Sequence, residues 1–470
     1  MGSTRLEQDL LGSRDVPVDA YYGIQTLRAK ENFQITGEPI GRYPKLIVAL
    51  AMVKKAAALT NCKLGLLENP IADAIGAACD DIIAGEFHDA FIVDIIQGGA
   101  GTSTNMNANE VIANRALEIL GYAKGRYDVV NPNNHVNLSQ STNDAYPTSL
   151  RLCLLMSYAP LYVEILRLCH QLELKGDEFC DVIKMGRTQL QDAVPITLGQ
   201  EFHAYAVTMR EELFKLTTVT EHFNEINLGA TAIGTGINTE PEYCEMVIQT
   251  LAQISGYKLV RAHNLIEATS DMGAFVSLSS VLKRTAIKLS KMCNDLRLMS
   301  SGPRAGLNEI NLPPMQPGSS IMPGKINPVI PETVNQVAYQ VIGNDLTITM
   351  AAEAGQLELN VMEPVIASNL LQSLKILTNA TRSLSTNCIS GITANKEHCE
   401  QMVMNSIGIL TAINPYLDYH QSSALAKEAL QTGRGVIDLI KEKALIDDDI
   451  LARILNPHGM VSPRKRIETS

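Results

Sequence analysis

The feature that most limits how this chain can fold is a long run without helix breakers. Residues 274–301 contain neither glycine nor proline, and at 1.5 Å per residue a helix over this span would be about 40 Å long. Such a helix cannot bury its own apolar face, so it needs neighbouring helices in a bundle, within one subunit or shared between subunits. Similar patterns predict further helices at residues 44–64, 70–84, 148–175, 198–226, 241–256, 332–354 and 364–388.

The composition agrees with a mainly helical, well-packed fold and limits the possible partners. Hydrophobic residues make up 46% of the chain, which excludes intrinsic disorder as its main state. Aromatic residues make up only 5%, which is unlike most strand-rich proteins. The formal charge of −11 disfavours binding to nucleic acid or to an anionic membrane surface. No apolar run approaches 18 residues, so no segment is expected to span a membrane. From the charge and the run lengths together we expect neither a nucleic-acid nor a membrane partner.

The spacing of cysteine and histidine predicts no metal site. The nine cysteines form no C-x-x-C pair, and the nine histidines are scattered without an H-E-x-x-H pattern. Among the histidines, only His135 lies in a polar segment, and we expect a structural role for it. An odd number of cysteines in a chain without a secretory signal is typical of reduced thiols, and we expect a cytoplasmic protein that uses no metal.

Two amide-rich segments, the first of them without a charged residue, interrupt the apolar pattern and are predicted to be polar loops facing a site. Residues 97–109 include Thr102, and residues 131–144 include Ser141, Thr142 and Asn143. Hydroxyl and amide groups can hold a carboxylate through neutral hydrogen-bond donors. The same groups can equally serve to cap and staple the loops themselves, and the residues alone do not separate these two interpretations.

Two further segments carry candidate chemistry. Residues 318–328 read GSSIMPGKINP, which fails the phosphate-loop pattern in its glycine spacing and in the residue after lysine. This segment is interpreted as a flexible functional loop or a solvated turn. Residues 184–195 form a polar cluster between helical stretches, which is interpreted as part of a site or as a structural turn.

Shorter helical segments broken by Pro415 and Pro457 follow residue 396. We therefore divide the chain into an N-terminal domain (1–142), a central helical bundle domain (143–395) and a small C-terminal domain (396–470).

Taken together and in order, these segments resemble the fumarase/aspartase superfamily. The resemblance covers nearly the whole chain and rests on DAYYGIQTLRA, GGAGTSTNMNANEVIANRA, NLSQSTNDAYPT, MGRTQLQDAVPITLGQEF, NLGATAIGTGIN, CNDLRLMSSGPRAGLNEI and GSSIMPGKINP. Fumarases typically carry histidine where this chain has Gln189, and a Ser-Gly-Thr-Gln run where it has Ala-Gly-Thr-Ser at residues 100–103. Within the superfamily the chain is therefore more similar to the aspartases.

The resemblance implies a mainly α, three-domain subunit without a cofactor. Its long central helices would form the core of a homotetramer, with each active site assembled from three subunits. The implied reaction is reversible β-elimination of ammonia from L-aspartate to give fumarate through an enediolate. A fumarase acting on malate and a non-catalytic structural relative are the alternatives.

The resemblance also implies roles for ten residues. Ser319 would be the base, helped by Lys325 and by backbone N–H groups of its loop. One substrate carboxylate would be held by Thr102, Ser141, Thr142 and the backbone of Ser320. The other carboxylate would be held by Thr188, Lys325 and Asn327. The amino group would contact Thr102, Asn143 and Gln189.

Overall fold

A computed structural model describes residues 3–462, and these residues are mostly helical, which confirms the predicted fold class. The described helices, numbered in chain order, are α1 Ile24–Asn32, α2 Pro44–Lys63, α3 Asn69–Ile83, α4 Thr102–Ile119, α5 Thr142–Glu178, α6 Leu198–Thr220, α7 Tyr243–Ser255, α8 Leu265–Ser270, α9 Gly273–Met299, α10 Val329–Glu353, α11 Glu363–Asn387, α12 Lys396–Asn405, α13 Leu410–Ile413, α14 Tyr419–Thr432, α15 Val436–Glu442, α16 Asp448–Ile454 and α17 Pro457–Met460. The predicted helices begin and end within a few residues of their observed bounds, except that α5 begins earlier and α6 ends earlier than predicted. Helix α4 was not predicted.

The strands pair in twos. They are β1 Thr4–Asp9, β2 Gly12–Pro17, β3 Ile183–Thr188, β4 Gln191–Thr197, β5 Glu225–Ile226, β6 Val260–Arg261, β7 Ile310–Asn311 and β8 Thr393–Ala394. The pairs β1–β2, β3–β4 and β7–β8 are antiparallel, and β5–β6 is parallel. The segment 184–195, interpreted as part of a site or as a structural turn, is therefore most of a β-hairpin.

The prediction of a loop over residues 97–109 is wrong in its second half, because α4 begins at Thr102. Its asparagines do not follow a helical period, since they are buried on several sides of the helix and bind the surrounding loops. Asn107 accepts from Ile92 N at 2.9 Å and donates to Ala90 O at 3.0 Å. Partners distant in sequence make this amide-rich stretch stable as a helix, and a local pattern does not reveal them.

Helix α5 also begins earlier than predicted and runs through two prolines, Pro147 and Pro160. Proline lacks the N–H that would bind the carbonyl four residues before it. Both of these carbonyls have other donors, since Asn227 Nδ2 lies 3.1 Å from Asn143 O and Lys45 Nζ lies 2.8 Å from Met156 O. Tertiary hydrogen bonds thus permit a continuous helix where the sequence indicated a break.

The chain divides into two compact units. The first comprises residues 3–162, 214–284 and 340–376, and the second comprises residues 163–213, 285–339 and 377–462. In the first unit α2 packs against α3 and α7, and α3 packs against α4. In the second unit α12 packs against β3, beside an apolar cluster that includes Met185 and Val403. The division into three domains, with boundaries at residues 142 and 395, stays a prediction.

One described helix, α5, meets the length and apolar composition of a membrane span, although no run of 18 apolar residues was found in the sequence. Half of that apolar window is buried within the chain. A core helix of a water-soluble protein passes the same test of length and composition.

Candidate active site

The start of α5 holds three of the predicted site residues in fixed hydrogen bonds. Ser141 Oγ accepts from the backbone N–H of Asn143 at 3.2 Å, and Ser141 N donates to Asp144 Oδ1 at 3.0 Å. These two bonds are the two halves of a helix N-cap. Because the Ser141 oxygen already accepts a hydrogen bond, its O–H remains able to donate to a ligand.

The Thr142 hydroxyl is oriented by a buried polar network. Asn105 Nδ2 donates to Thr142 Oγ1 at 3.1 Å and also to Asn137 Oδ1 at 3.0 Å. The same Asn137 oxygen accepts from Asn109 Nδ2 at 3.1 Å and from the Lys54 ammonium at 2.9 Å. Since Thr142 accepts from Asn105, its own O–H is also free to donate.

Asn143 and Thr102 each keep an acceptor oxygen, and the Thr102 hydroxyl has no proton left to donate. Asn143 Nδ2 donates to Ala232 O at 2.8 Å, which leaves the side-chain oxygen to accept from a ligand. Thr102 Oγ1 donates to Gly99 O at 2.7 Å, so the hydroxyl proton is used and a lone pair remains. Two donor hydroxyls and two acceptor oxygens suit a ligand that carries both a carboxylate and an ammonium group.

The starts of α4 and α5 are held beside each other by close packing. Gly101 precedes α4 with φ +87°, and a Cβ built there would lie 2.5 Å from Cγ of the Tyr146 ring in α5. Only glycine fits this approach and this backbone conformation. The contact fixes Thr102 near the group formed by Ser141, Thr142 and Asn143.

Two fully buried charged groups lie beneath this group. Burial raises the pKa of the Asp144 carboxyl to about 7, against hydrogen bonds from Thr231 N and Ser141 N that lower it. Burial lowers the pKa of Lys54 to about 7, and the nearby Asp144 charge opposes that shift. The sequence interpretation did not single out either residue. Ser141-x-x-Asp144 is a capping-box spacing that points to Asp144, whereas Lys54 stands without a signal in an apolar helix.

The second unit holds Thr188 and Gln189 at the exposed turn of the β3–β4 hairpin. Gln189 and Leu190 have φ angles of +56° and +61°, which are uncommon for residues with a side chain. Two buried ion pairs anchor the hairpin below this turn. Glu309, which is fully buried, lies 2.7 Å from Arg187 Nη1 and 3.0 Å from Lys184 Nζ.

The segment 318–328 is an irregular loop in the second unit, held by bonds among its own residues. Gly318 N donates to Lys325 O at 2.8 Å, and Asn327 Nδ2 donates to Gly318 O at 2.7 Å. Ser319 Oγ accepts from Ile321 N at 3.2 Å and from Met322 N at 3.1 Å. Two backbone donors on one hydroxyl oxygen stabilise negative charge there, as an alkoxide base requires. Ser320 and Lys325 are exposed.

The ten predicted site residues therefore fall into three groups along the chain. Thr102, Ser141, Thr142 and Asn143 come together in the first unit. Thr188 and Gln189 share one turn, and Ser319, Ser320, Lys325 and Asn327 share one loop, both in the second unit. Within residues 3–462, no group of three or more His, Cys, Asp or Glu side chains is arranged to hold a metal ion.

The chain matches two family models and close relatives over nearly its full length. The model described as "Lyase" matches residues 12–343, and "Fumarase C C-terminus" matches residues 409–462. Aspartate ammonia-lyase of Pseudomonas aeruginosa is 60% identical over 465 residues, covering 99% of this chain and 98% of the relative.

Solved structures agree with these matches. A fumarate lyase:delta crystallin from Brucella melitensis, bound to cobalt, has a TM-score of 0.96 and 56% identity, covering 98% of this chain and all (100%) of that one. The class II fumarase of Schistosoma mansoni has a TM-score of 0.93 and 36% identity, over 98% of this chain and 100% of that one. Fold and sequence thus point to one family of lyases.

Proposed function

Because this chain belongs to the fumarase/aspartase superfamily of lyases, we propose that it acts as an aspartate ammonia-lyase, which converts L-aspartate reversibly into fumarate and ammonia. The observation that carries this proposal is the mixture of donors and acceptors at the starts of α4 and α5. Ser141 and Thr142 offer O–H groups to a carboxylate, whereas Thr102 and Asn143 offer oxygens to an ammonium group. A substrate that carries a hydroxyl instead of an ammonium would satisfy fewer of these acceptors.

The chemical step begins with removal of a proton from Cβ of aspartate. Ser319 takes this proton as its alkoxide, which the N–H groups of Ile321 and Met322 stabilise. The electron pair moves onto the adjacent carboxylate, where Ser141 and Thr142 donate to the enediolate oxygens. The pair then forms the C=C bond of fumarate as the C–N bond breaks and ammonia leaves.

The other carboxylate is bound by Lys325, Asn327 and Thr188 in this proposal. A buried charge-assisted hydrogen bond from Lys325 would contribute binding in both ground state and transition state. Gln189 would contact the amino group together with Asn143 and Thr102. Closure of the 318–328 loop over the substrate would exclude water and bring Ser319 to Cβ.

The direct test is the ultraviolet absorbance of fumarate after the purified protein is mixed with L-aspartate or, separately, with L-malate. We expect absorbance to rise with aspartate alone. A rise with malate instead would make the protein a fumarase. No rise with either substrate, from a folded protein, would favour a non-catalytic relative.

We further propose that the protein is a homotetramer with active sites built from three subunits. Helix α10 supports this proposal, because it exposes an apolar stripe of Tyr339, Ile342, Leu346 and Met350 at spacings of three, four and four residues. Three of these side chains are at least 60% exposed: Tyr339, Leu346 and Met350 at 60%, 61% and 64%. A stripe of this kind is the seam along which helices associate.

Hybrid tetramers test the shared sites. The Ser319→Ala and Thr188→Ala variants are each expected to be weakly active alone. If these residues meet across subunits, unfolding and refolding the two variants together should restore activity, because some sites then receive neither substitution. A mixture that stays as inactive as its components would contradict the proposal. Leu346→Glu should reduce the molar mass measured by light scattering.

We also propose a cytoplasmic location. All nine cysteines lie in the described chain and are free thiols, and six of them are buried. Unpaired buried thiols are typical of a reducing compartment. Enzyme activity measured in separated cytoplasmic and membrane fractions tests this proposal, and we expect it in the cytoplasmic fraction.

A further inference from the structure

The side chain of Asp144 accepts hydrogen bonds from two segments that are far apart in sequence. Its carboxylate is fully buried, at 0% exposure. Oδ1 accepts from Ser141 N at 3.0 Å, and Oδ2 accepts from Gly229 N at 3.1 Å and from Thr231 N at 2.8 Å. One oxygen therefore caps α5 locally, while the other binds residues 229–231.

Two further hydrogen bonds join the same two segments. Asn143 Nδ2 donates to Ala232 O at 2.8 Å, and Asn227 Nδ2 donates to Asn143 O at 3.1 Å. Thr231 lies in this segment with φ +55°, a backbone conformation that a threonine adopts only when its surroundings hold it there. The start of α5 and residues 227–232 therefore form one interlocked structure with Asp144 at its centre.

This structure also sets the width of a cavity. A cavity of about 550 Å³ has Ser141 on one side and Thr231 and Ala232 among its other lining residues. Since Asp144 binds the backbones of Ser141 and Thr231 through its two different oxygens, it determines how far apart these walls stand.

We propose that Asp144 is a positioning residue for the substrate. It holds the Ser141 hydroxyl and the Asn143 side-chain oxygen at the separation required by the carboxylate and ammonium groups of one amino acid, and it does so by binding residues 229–231. This inference rests on the proposed function, since it concerns the same site. Asp144 itself does not touch the substrate.

The carboxylate is required because all three of its partners are N–H donors. In Asp144→Asn, an NH₂ group replaces one acceptor oxygen and faces at least one backbone N–H. The variant therefore loses one or two of the three bonds while keeping the volume of the side chain.

Glu110 provides a matched control in the same unit. It is also buried, and it accepts from three backbone N–H groups, those of Gly23, Gln25 and Thr26, at 2.8, 2.8 and 3.1 Å. These donors lie at the start of α1, and none of them belongs to the predicted site. Glu110→Gln and Asp144→Asn thus make the same chemical change in two similar surroundings.

The experiment measures kcat and KM for L-aspartate, the Kd of succinate by calorimetry, and the melting temperature, all with the full-length protein at pH 8.5. We expect both variants to lose a similar few degrees of melting temperature. Asp144→Asn should raise KM and the succinate Kd about tenfold, as for one misplaced hydrogen-bonding group, and Glu110→Gln should change neither by more than about twofold. When Asn143→Ala is already present, adding Asp144→Asn should raise KM and the succinate Kd by a smaller factor than Asp144→Asn does alone.

Equal effects of the two variants on KM and on the succinate Kd, or fully multiplicative effects with Asn143→Ala, would overturn the positioning role. If Asp144→Asn does not fold, Asn227→Ala is used instead, because it removes the hydrogen bond from Asn227 Nδ2 to Asn143 O that joins the same two segments. This variant should raise KM and the succinate Kd about threefold. Unchanged values of both would again refute the positioning role. Wild-type protein that releases no fumarate would refute the proposed function instead, because the succinate comparison does not depend on turnover.

Discussion

The start of α5 and the loop 318–328 hold their functional groups in opposite ways. Around α5, the adjacent and buried Asp144 binds Ser141, whereas two distant regions, Asn105 and the segment 227–232, bind Thr142 and Asn143. The loop binds mainly itself, and Ser320, Ile321 and Lys325 are exposed.

This difference fits the proposed roles, in which the start of α5 binds the substrate and the loop supplies the base. Groups that must match the shape of a ligand gain from a buried and preorganised frame, because little ordering remains to be done on binding. A base that must approach after the substrate enters gains from a loop with few external contacts. The predictions below test this division, beginning with the largest effect.

Replacement of Ser319 by alanine should have the largest effect and should act on turnover. The variant keeps the loop backbone but lacks the oxygen that accepts two N–H groups, so kcat should fall by about a thousandfold, as for loss of a general base. Steady-state fumarate absorbance measures this, with light scattering as a check that assembly is unchanged. Turnover close to wild type would remove Ser319 from the role of base.

Lys325→Met tests whether the same loop also binds. Loss of a cation opposite a carboxylate should raise KM for L-aspartate about 10- to 100-fold. The difference in KM between variant and wild type should shrink as salt is added, because Lys325 is exposed and salt screens its attraction to the carboxylate. A KM that does not change would show that Lys325 is only a charge on the surface of the loop.

Thr142→Val and Thr102→Val test the buried frame, and they should differ from each other. The Thr142 hydroxyl is predicted to donate to a carboxylate, which both ligands carry. Its loss should therefore weaken the binding of L-aspartate and of fumarate alike, each about tenfold. The Thr102 hydroxyl donates its hydrogen bond to Gly99 O and can only accept from a ligand. Its loss should therefore weaken the binding of L-aspartate, which has an ammonium group, but leave the inhibition constant of fumarate nearly unchanged. Equal effects on both ligands in both variants would contradict the assigned hydroxyl directions.

The smallest effect concerns Glu363, a carboxyl as buried as Asp144 but with no hydrogen-bond partner for either oxygen within the described chain. Burial raises its pKa to about 8, against the opposing charge of Arg151. The folded protein therefore binds a proton that the unfolded chain releases above about pH 4.3, so this carboxyl's contribution to stability falls as pH rises from about 5 to 8.

Glu363→Gln removes that titration. The difference in melting temperature between pH 6 and pH 8 should therefore shrink by a few degrees in the variant. Calorimetric scans of both proteins at the two pH values provide the measurement. An identical pH dependence in wild type and variant would show that Glu363 is already charged in the folded protein at neutral pH.

Much of the fold could be predicted from local patterns. Helix α9 was predicted within two residues at its end, because an apolar period without glycine or proline describes a helix regardless of its partners. Helix α4 was missed because Asn105, Asn107 and Asn109 resemble a loop when their distant partners are unknown. The start of α5 was missed for a similar reason, since the carbonyl that Pro147 leaves unpaired is bound by Asn227.

The candidate site could be predicted as a set of residue types but not as a geometry. The residues of the starts of α4 and α5, of the hairpin turn and of the loop were all chosen from sequence blocks in order. The direction of the Thr142 hydroxyl and the role of Asp144 could not be predicted, because they depend on Asn105 and on residues 229–231, which are tens of residues away.

The sequence by itself determined the helical class of this protein and the family to which it belongs, since these follow from local periodicity and from short ordered motifs. The residues proposed to carry its chemistry were chosen from the same motifs. The tertiary structure alone decided which polar groups donate and which accept. A hydroxyl can do either, and only the neighbour that already shares a hydrogen bond with it determines what it can offer a substrate. That neighbour is Asn105 for Thr142 and Gly99 for Thr102.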